Sequence, residues 1–265
     1  MDQDSDSELT QFEQGYEETA DERETEEIRQ RIEAFGLSKR HKTELVKWIK
    51  KTPDGLYREK QIWHAIQYFN RLKDFDMSRR LANLETHAVE RATAFYLIAI
   101  ATKEEKDILI ARQQLAMGRS AASSSRALAK MGRHYAGLFG ITDDPRDLAR
   151  ATRIAENLMG QSEYDYAGDV FMDIVEVHPV TGFFLQAFQA SIMTEDDEYR
   201  SYLLERLYSL LEMCPPLEGL GPLIDNLIKN PDADVQEMLQ PFVTHWICGA
   251  VYCALYWTKR PVGLA

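Results

Sequence analysis

The sequence predicts an all-α fold, a multi-helix globular bundle of about ten to twelve helices behind a disordered, acidic N-terminus. Three observations predict it. Apolar residues recur at three- and four-residue intervals through most of the chain, the spacing that lines one face of a helix. Residues that start and stop helices punctuate that pattern at helical lengths: Ser, Thr or Asp ahead, Gly or Pro behind. No segment combines period-two alternation with hairpin turn chemistry, and no repeat of 30–45 residues holds.

Residues 1–21 are rich in Asp, Glu, Ser and Gln and too poor in apolar groups to offset the entropy of ordering. Phe12 and Tyr16, at i and i+4, form the one candidate docking element there. From Asp21, Ile28, Ile32 and Phe35 make a helical stripe that Gly36 ends. A second helix covers Lys39–Lys51 with Leu45, Val46, Trp48 and Ile49 apolar, and Thr52-Pro53-Asp54-Gly55 is a turn. A third covers Tyr57–Lys73. One long helix is expected over Ser78–Ala101, its all-apolar end fully buried. Thr102 with Glu105 reads as a capping box that restarts the chain at Lys103. Gly118–Ser125 is either a mobile loop or a close helix contact through small residues. Ala127–Phe139 follows, closed by Gly140; then Asp144-Pro145 opens a helix that ends at Gly160. Ser162 with Asp165, Pro179, and Thr194 with Asp197 begin the next three. Pro215-Pro216 breaks the chain, a short helix spans Leu220–Ile228, and a last one runs over Asp234–Trp257.

Composition sets outer limits. At 265 residues, with 45% hydrophobic and 28% charged, the chain has material for one large helical domain or two small ones. Cys214, Cys248 and Cys253 are odd in number, widely set and without a CxxC, which reads as reduced thiols, with Cys248 and Cys253 buried in an apolar stretch, in a cytoplasmic or otherwise intracellular protein, or a virion protein if the source is viral. The acidic N-terminus is unlike a signal peptide. The longest apolar run, Val243–Trp257, is interrupted by His245 and is short of the ~20 residues of a membrane span, so no span is expected.

Charge is sorted along the chain. Residues 1–36 carry 13 acids against 3 bases, residues 37–133 carry 20 bases against 10 acids, and residues 134–265 carry 20 acids against 8 bases. A summed field of this kind speaks about partners rather than fold. It suggests a tail over 1–21, a basic helical lobe over 22–140 and an acidic lobe over 141–265, with Phe139–Pro145 as the linker, or else one continuous domain.

The basic block supplies the candidate binding residues. Lys39, Arg40, Lys42, Lys47, Lys50 and Lys51 cluster in one helix and its flanks. Arg112, Arg119, Arg126, Lys130 and Arg133 follow at intervals of three to seven. Cations so spaced can line a groove and meet successive phosphates, while Tyr57, Trp63, His64 and Tyr68 could stack on bases. The competing expectation is a basic face that balances acidic groups of the same chain, of another copy or of another protein. An overall pI near 5.0 argues against a simple nucleic-acid binder, though not against one whose basic groove is segregated.

Carboxylates form the second constellation. Asp165, Asp169 and Asp173 repeat at four residues and so share one helix face, where their repulsion costs a few tenths of a kcal/mol per pair and a bound cation would relieve it. Farther on, Asp197, Ser201 and Glu205 are also in line. The stretch Asp197–Glu205 resembles the magnesium-binding motif (N/D)D-x-x-S-x-x-x-E of class I terpene synthases, themselves all-α. The resemblance implies Mg²⁺ held against a diphosphate by those three side chains. It covers nine residues, and the partner DDxxD motif has no counterpart upstream; Lys73-Asp74-Phe75-Asp76 lacks the adjacent pair.

The six histidines make no HExxH, ExxH or HxH, and His87/Glu90 and His245/Cys248 are isolated i,i+3 pairs. Gly132, Gly137 and Gly140 lie in a run without GK[ST], so no phosphate loop is expected. The sequence therefore points to a non-enzymatic, self-associating helical protein that binds or packages RNA or another polyanion, as nucleoproteins and coat proteins do, with no cofactor. Two other readings are a protein–protein adaptor that binds no nucleic acid and a Mg²⁺-dependent enzyme of terpene-synthase type.

Overall fold

A computed structural model describes residues 20–210 and residue 229. Among these are eleven α-helices and no strand. The expected disordered tail, apart from Ala20 and Asp21 at the start of the first helix, lies outside the described residues. So do the three cysteines, the short helix at 220–228 and the apolar helix at 234–257. None of the described helices is long and apolar enough to cross a membrane.

The chain divides into two compact units after Thr86. In the first, α1 (Ala20–Phe35), α2 (Lys39–Lys51), α3 (Leu56–Arg71) and α4 (Phe75–Ala82) close a small core. Ile28 and Ile32 of α1, Leu45 and Ile49 of α2, Ile62, Ile66 and Phe69 of α3 and Leu81 of α4 are buried within it. The caps follow residue chemistry: the Ser38 hydroxyl accepts from the His41 N–H at 3.2 Å, and the Asp74 carboxylate accepts from Met77 N–H. Trp48 closes the α1–α2 corner, 5.6 Å from Phe35 and under the Arg31 guanidinium at 4.7 Å.

The second unit holds α5 (Ala88–Thr102), α6 (Glu105–Ala121), α7 (Ser125–Thr142), α8 (Pro145–Gly160), α9 (Tyr164–Val177), α10 (Thr181–Met193) and α11 (Asp197–Leu210). α5 and α6 form a tight pair. α7 lies at the centre, against α5, α6, α8 and α9, while α10 and α11 pack on α9. Small residues set the closest approaches. A Cβ on Gly132 would sit 3.0 Å from Ile154 and Val170, and one on Gly168 would sit 2.9 Å from Leu203. These two glycines draw α7, α9 and α11 together, and Arg133 and Asp169 are their chain neighbours.

Several boundaries differ from the sequence expectation for identifiable reasons. The long helix over 78–101 is two. Asn83 ends α4, its side chain donating back to the Arg79 carbonyl, and Arg58 of α3 donates to the Leu84 carbonyl at 2.8 Å, which fixes the interruption. The break lies at the division between the units. Thr102 is the last residue of α5 and its hydroxyl accepts from Glu104 N–H, so no capping box forms with Glu105. α7 runs through Gly140 to Thr142 because Gly140 serves packing: a Cβ there would meet Val177 at 2.8 Å. The left-handed stop falls instead on Asp143, at φ 53°. Thr194 bonds back to the Ala190 carbonyl, and Asp196 caps α11 by accepting from Tyr199 N–H at 2.8 Å. Of the two expectations for 118–125, close contact holds at Gly118, whose absent Cβ leaves room for Met131 and Ala92; residues 122–124 form the short connection. Gly140 and Ile141, where the acidic lobe was expected to begin, both lie within α7.

Candidate nucleic-acid interface

The eleven candidate cations fall into two groups, six in the first unit and five in the second. On α2 the buried residues Leu45, Val46 and Ile49 occupy one side. Lys39, Arg40, Lys47, Lys50 and Lys51 are exposed on the other, within an arc of about 120° at 100° per residue. Glu44, about 20° beyond this arc, is the one acid of α2 and pairs with Lys47 at 3.1 Å. Lys39, Arg40, Lys50 and Lys51 have no carboxylate partner among the described residues. Lys42 does not belong to this face; it is half-buried, over the Phe69 ring and paired with Asp74.

Of the aromatics expected to stack, Trp63 and Tyr57 are each 38% exposed. His64 is buried, edge-on to Trp63, so its face is not presented; burial first, then Arg29 and Lys60, push its pKa down. Tyr68 is half-buried against Phe69.

In the second unit the cations part ways. Arg119 and Arg126 are exposed on either side of the α6–α7 connection and have no carboxylate partner among the described residues. The other three are engaged. Arg112 donates from Nε and Nη2 to the Asp147 carboxylate at 2.9 and 2.6 Å and meets Asp144 at 2.9 Å; Asp147 is fully buried. Arg146 chelates Asp144 from the other side, and these bonds hold that carboxyl down at about 2. Lys130 meets Glu90 at 2.6 Å. Arg133 donates from Nε to Asp173 at 2.8 Å and lies 3.8 Å from Asp169.

The last pair belongs to a network that explains the carboxylate ladder. Asp169 and Asp173 face Arg133 of α7 and Arg206 of α11. Arg206 reaches Asp173 at 2.5 Å and Glu176 at 2.6 Å, and the Tyr199 hydroxyl donates to Asp169 at 2.8 Å. The repulsion expected along Asp165, Asp169 and Asp173 is thus offset by two guanidiniums at the second and third positions. Burial raises the Asp169 pKa against the pull of Tyr199 and both arginines. Burial also raises Tyr199, reinforced by its bond to Asp169. Sequence spacing could not reveal Arg206, Tyr199 or the Asp147 partner of Arg112, since each contact spans 30 to 35 residues.

Beside the network, the Tyr96 and His134 rings stack at 4.1 Å and 17°. The Thr93 hydroxyl donates to the Val89 carbonyl, which leaves His134 Nε2 as donor to the Thr93 oxygen at 3.1 Å. Burial, with Lys130 and Arg133 nearby, pushes His134 down to about 3. On α11, Asp197 is paired with Arg200, the Ser201 hydroxyl donates to the Asp197 backbone carbonyl at 2.9 Å, and Glu205 is exposed. No protein-family model, curated protein or solved structure matches the chain.

Proposed function

We propose that the protein is a non-enzymatic, self-associating helical protein that binds or packages nucleic acid, and that α2 is its phosphate-contacting element. The observation that carries this reading is the exposed face of Lys39, Arg40, Lys47, Lys50 and Lys51, opposed by a single acid. Arg119 and Arg126 are a second exposed basic point. Arg112, Lys130 and Arg133 hold helices to one another and are not assigned to the ligand. The excess negative charge of residues 134–265 is the complement that the basic face of a neighbouring copy would meet, within a cellular compartment or a particle.

A protein–protein adaptor without nucleic-acid binding is the second reading, favoured by the intramolecular pairing of those three cations. Purification separates the two. A nucleic-acid binder carries a raised 260/280 nm absorbance ratio that falls after nuclease and high salt, and Glu at the five α2 positions removes it. A wild-type chain that elutes free of nucleic acid at low salt favours the adaptor.

A further inference from the structure

We propose that residues 1–19 dock on the cationic face of α2 in their own chain and compete there with the polyanion; the competition, though not the docking, rests on the nucleic-acid reading of that face. Charge complementarity is the first argument. The segment holds seven carboxylates (Asp2, Asp4, Asp6, Glu8, Glu13, Glu17, Glu18) and no Lys or Arg. The α2 face holds five cations, four of them without a carboxylate partner among the described residues.

Placement is the second. α1 and α3 run side by side in the same direction: Glu24 pairs with Lys60 near their starts, and Glu33 and Arg71 line one cleft near their ends. The short turn 52–55 ties the end of α2 to the start of α3. The chain therefore enters α1 at the end of the unit where Lys50 and Lys51 lie. Nineteen residues reach up to ~60 Å when extended, and α2 is ~20 Å long. At that same end Leu56 and Tyr57 are 67% and 38% exposed, an apolar counterpart for Phe12 or Tyr16.

Tethering makes the intrachain contact dominate. At an effective concentration of order 1 mM, a segment affinity of order 100 μM suffices to weaken a competing ligand about tenfold.

Carbodiimide coupling of the full chain, which joins a carboxylate to a lysine amine with loss of water, tests the docking without nucleic acid. A mixture of ¹⁴N and ¹⁵N protein reports whether each link lies within one copy. Expected are links from residues 2–18 to Lys39, Lys47, Lys50 or Lys51 within one copy, lost at about 1 M salt, where charges are screened beyond ~3 Å. Links only between copies, or links spread equally to Lys103 and Lys106, overturn the proposal. In parallel, a full-chain variant with the seven carboxylates changed to Asn or Gln should bind a single-stranded RNA about tenfold tighter at about 50 mM salt. Equal RNA affinity with no links to α2 overturns the docking and leaves the nucleic-acid reading standing. Links to α2 with no RNA binding by either chain uphold the docking and overturn the nucleic-acid reading together with the competition.

Discussion

Gly137 shows how a single missing methyl shapes the second unit. A Cβ there would sit 2.2 Å from the Tyr96 hydroxyl oxygen, so the glycine makes room for the ring that stacks on His134. Gly→Ala inside a helix ordinarily stabilises by up to ~1 kcal/mol. Here the sign reverses: Gly137→Ala should cost about 1–3 kcal/mol through overpacking. Tyr96→Phe in the same chain should return part of that loss, and thermal denaturation of the two variants decides it. Neither the clash nor the stack could be read from the sequence, since Tyr96 and Gly137 lie on different helices. His134 itself carries a pH signature. Its folded pKa of about 3 lies below the ordinary 6.5, so the unfolded chain binds the extra proton between those values. Stability attributable to this group is present above pH ~6.5 and falls as pH drops toward ~3. Over pH 4–6 the unfolding free energy of wild type should fall more steeply than that of His134→Gln, by up to about 1.4 kcal/mol per pH unit. Parallel curves would show that the ring does not titrate in this way.

At the scale of elements, the ion pairs act as ties between helices. Arg112 of α6 and the fully buried Asp147 of α8 form a largely enclosed pair. Arg112→Ala leaves the buried Asp147 carboxylate with Arg150 alone, at 3.3 Å, and should cost about 3–5 kcal/mol in chemical denaturation, whereas Asp147→Ala leaves Arg112 its contact with Asp144 and should cost less. The double change Arg112→Met with Asp147→Leu should cost less than either single change. Costs that simply add would show that the two groups act independently. Helix positions were legible where local chemistry decides them. α2 begins after Ser38 and ends at Lys51 as its capping and periodicity require, and Pro145 opens α8. Legibility failed where a distant residue decides. Arg58 fixes the break after α4 from 26 residues away. Gly140 and Thr194, both stop or start signals by type, are spent on packing and on a backbone bond within α10.

For the whole molecule, the charge sorting visible in the sequence resolves into two physical uses. One is internal: Arg112, Lys130 and Arg133 meet acids beyond their own helices, Arg112 and Arg133 those of the C-terminal block. The other is external: α2 leaves five cations in solvent. The sequence treated both sets alike because spacing along a helix does not reveal which side faces a carboxylate on another. RNA-oligonucleotide anisotropy at about 50 and 200 mM salt measures whether the external set meets phosphates. Five phosphate contacts on a single strand imply a slope of log K against log salt near −3.5, or about a hundredfold loss of affinity between those two concentrations. That slope is expected for the wild-type chain, with its near-abolition by Glu at Lys39, Arg40, Lys47, Lys50 and Lys51 and a smaller loss with Glu at Arg119 and Arg126. Binding that survives the α2 changes, or no binding by wild type at about 50 mM salt, would contradict phosphate contact by α2.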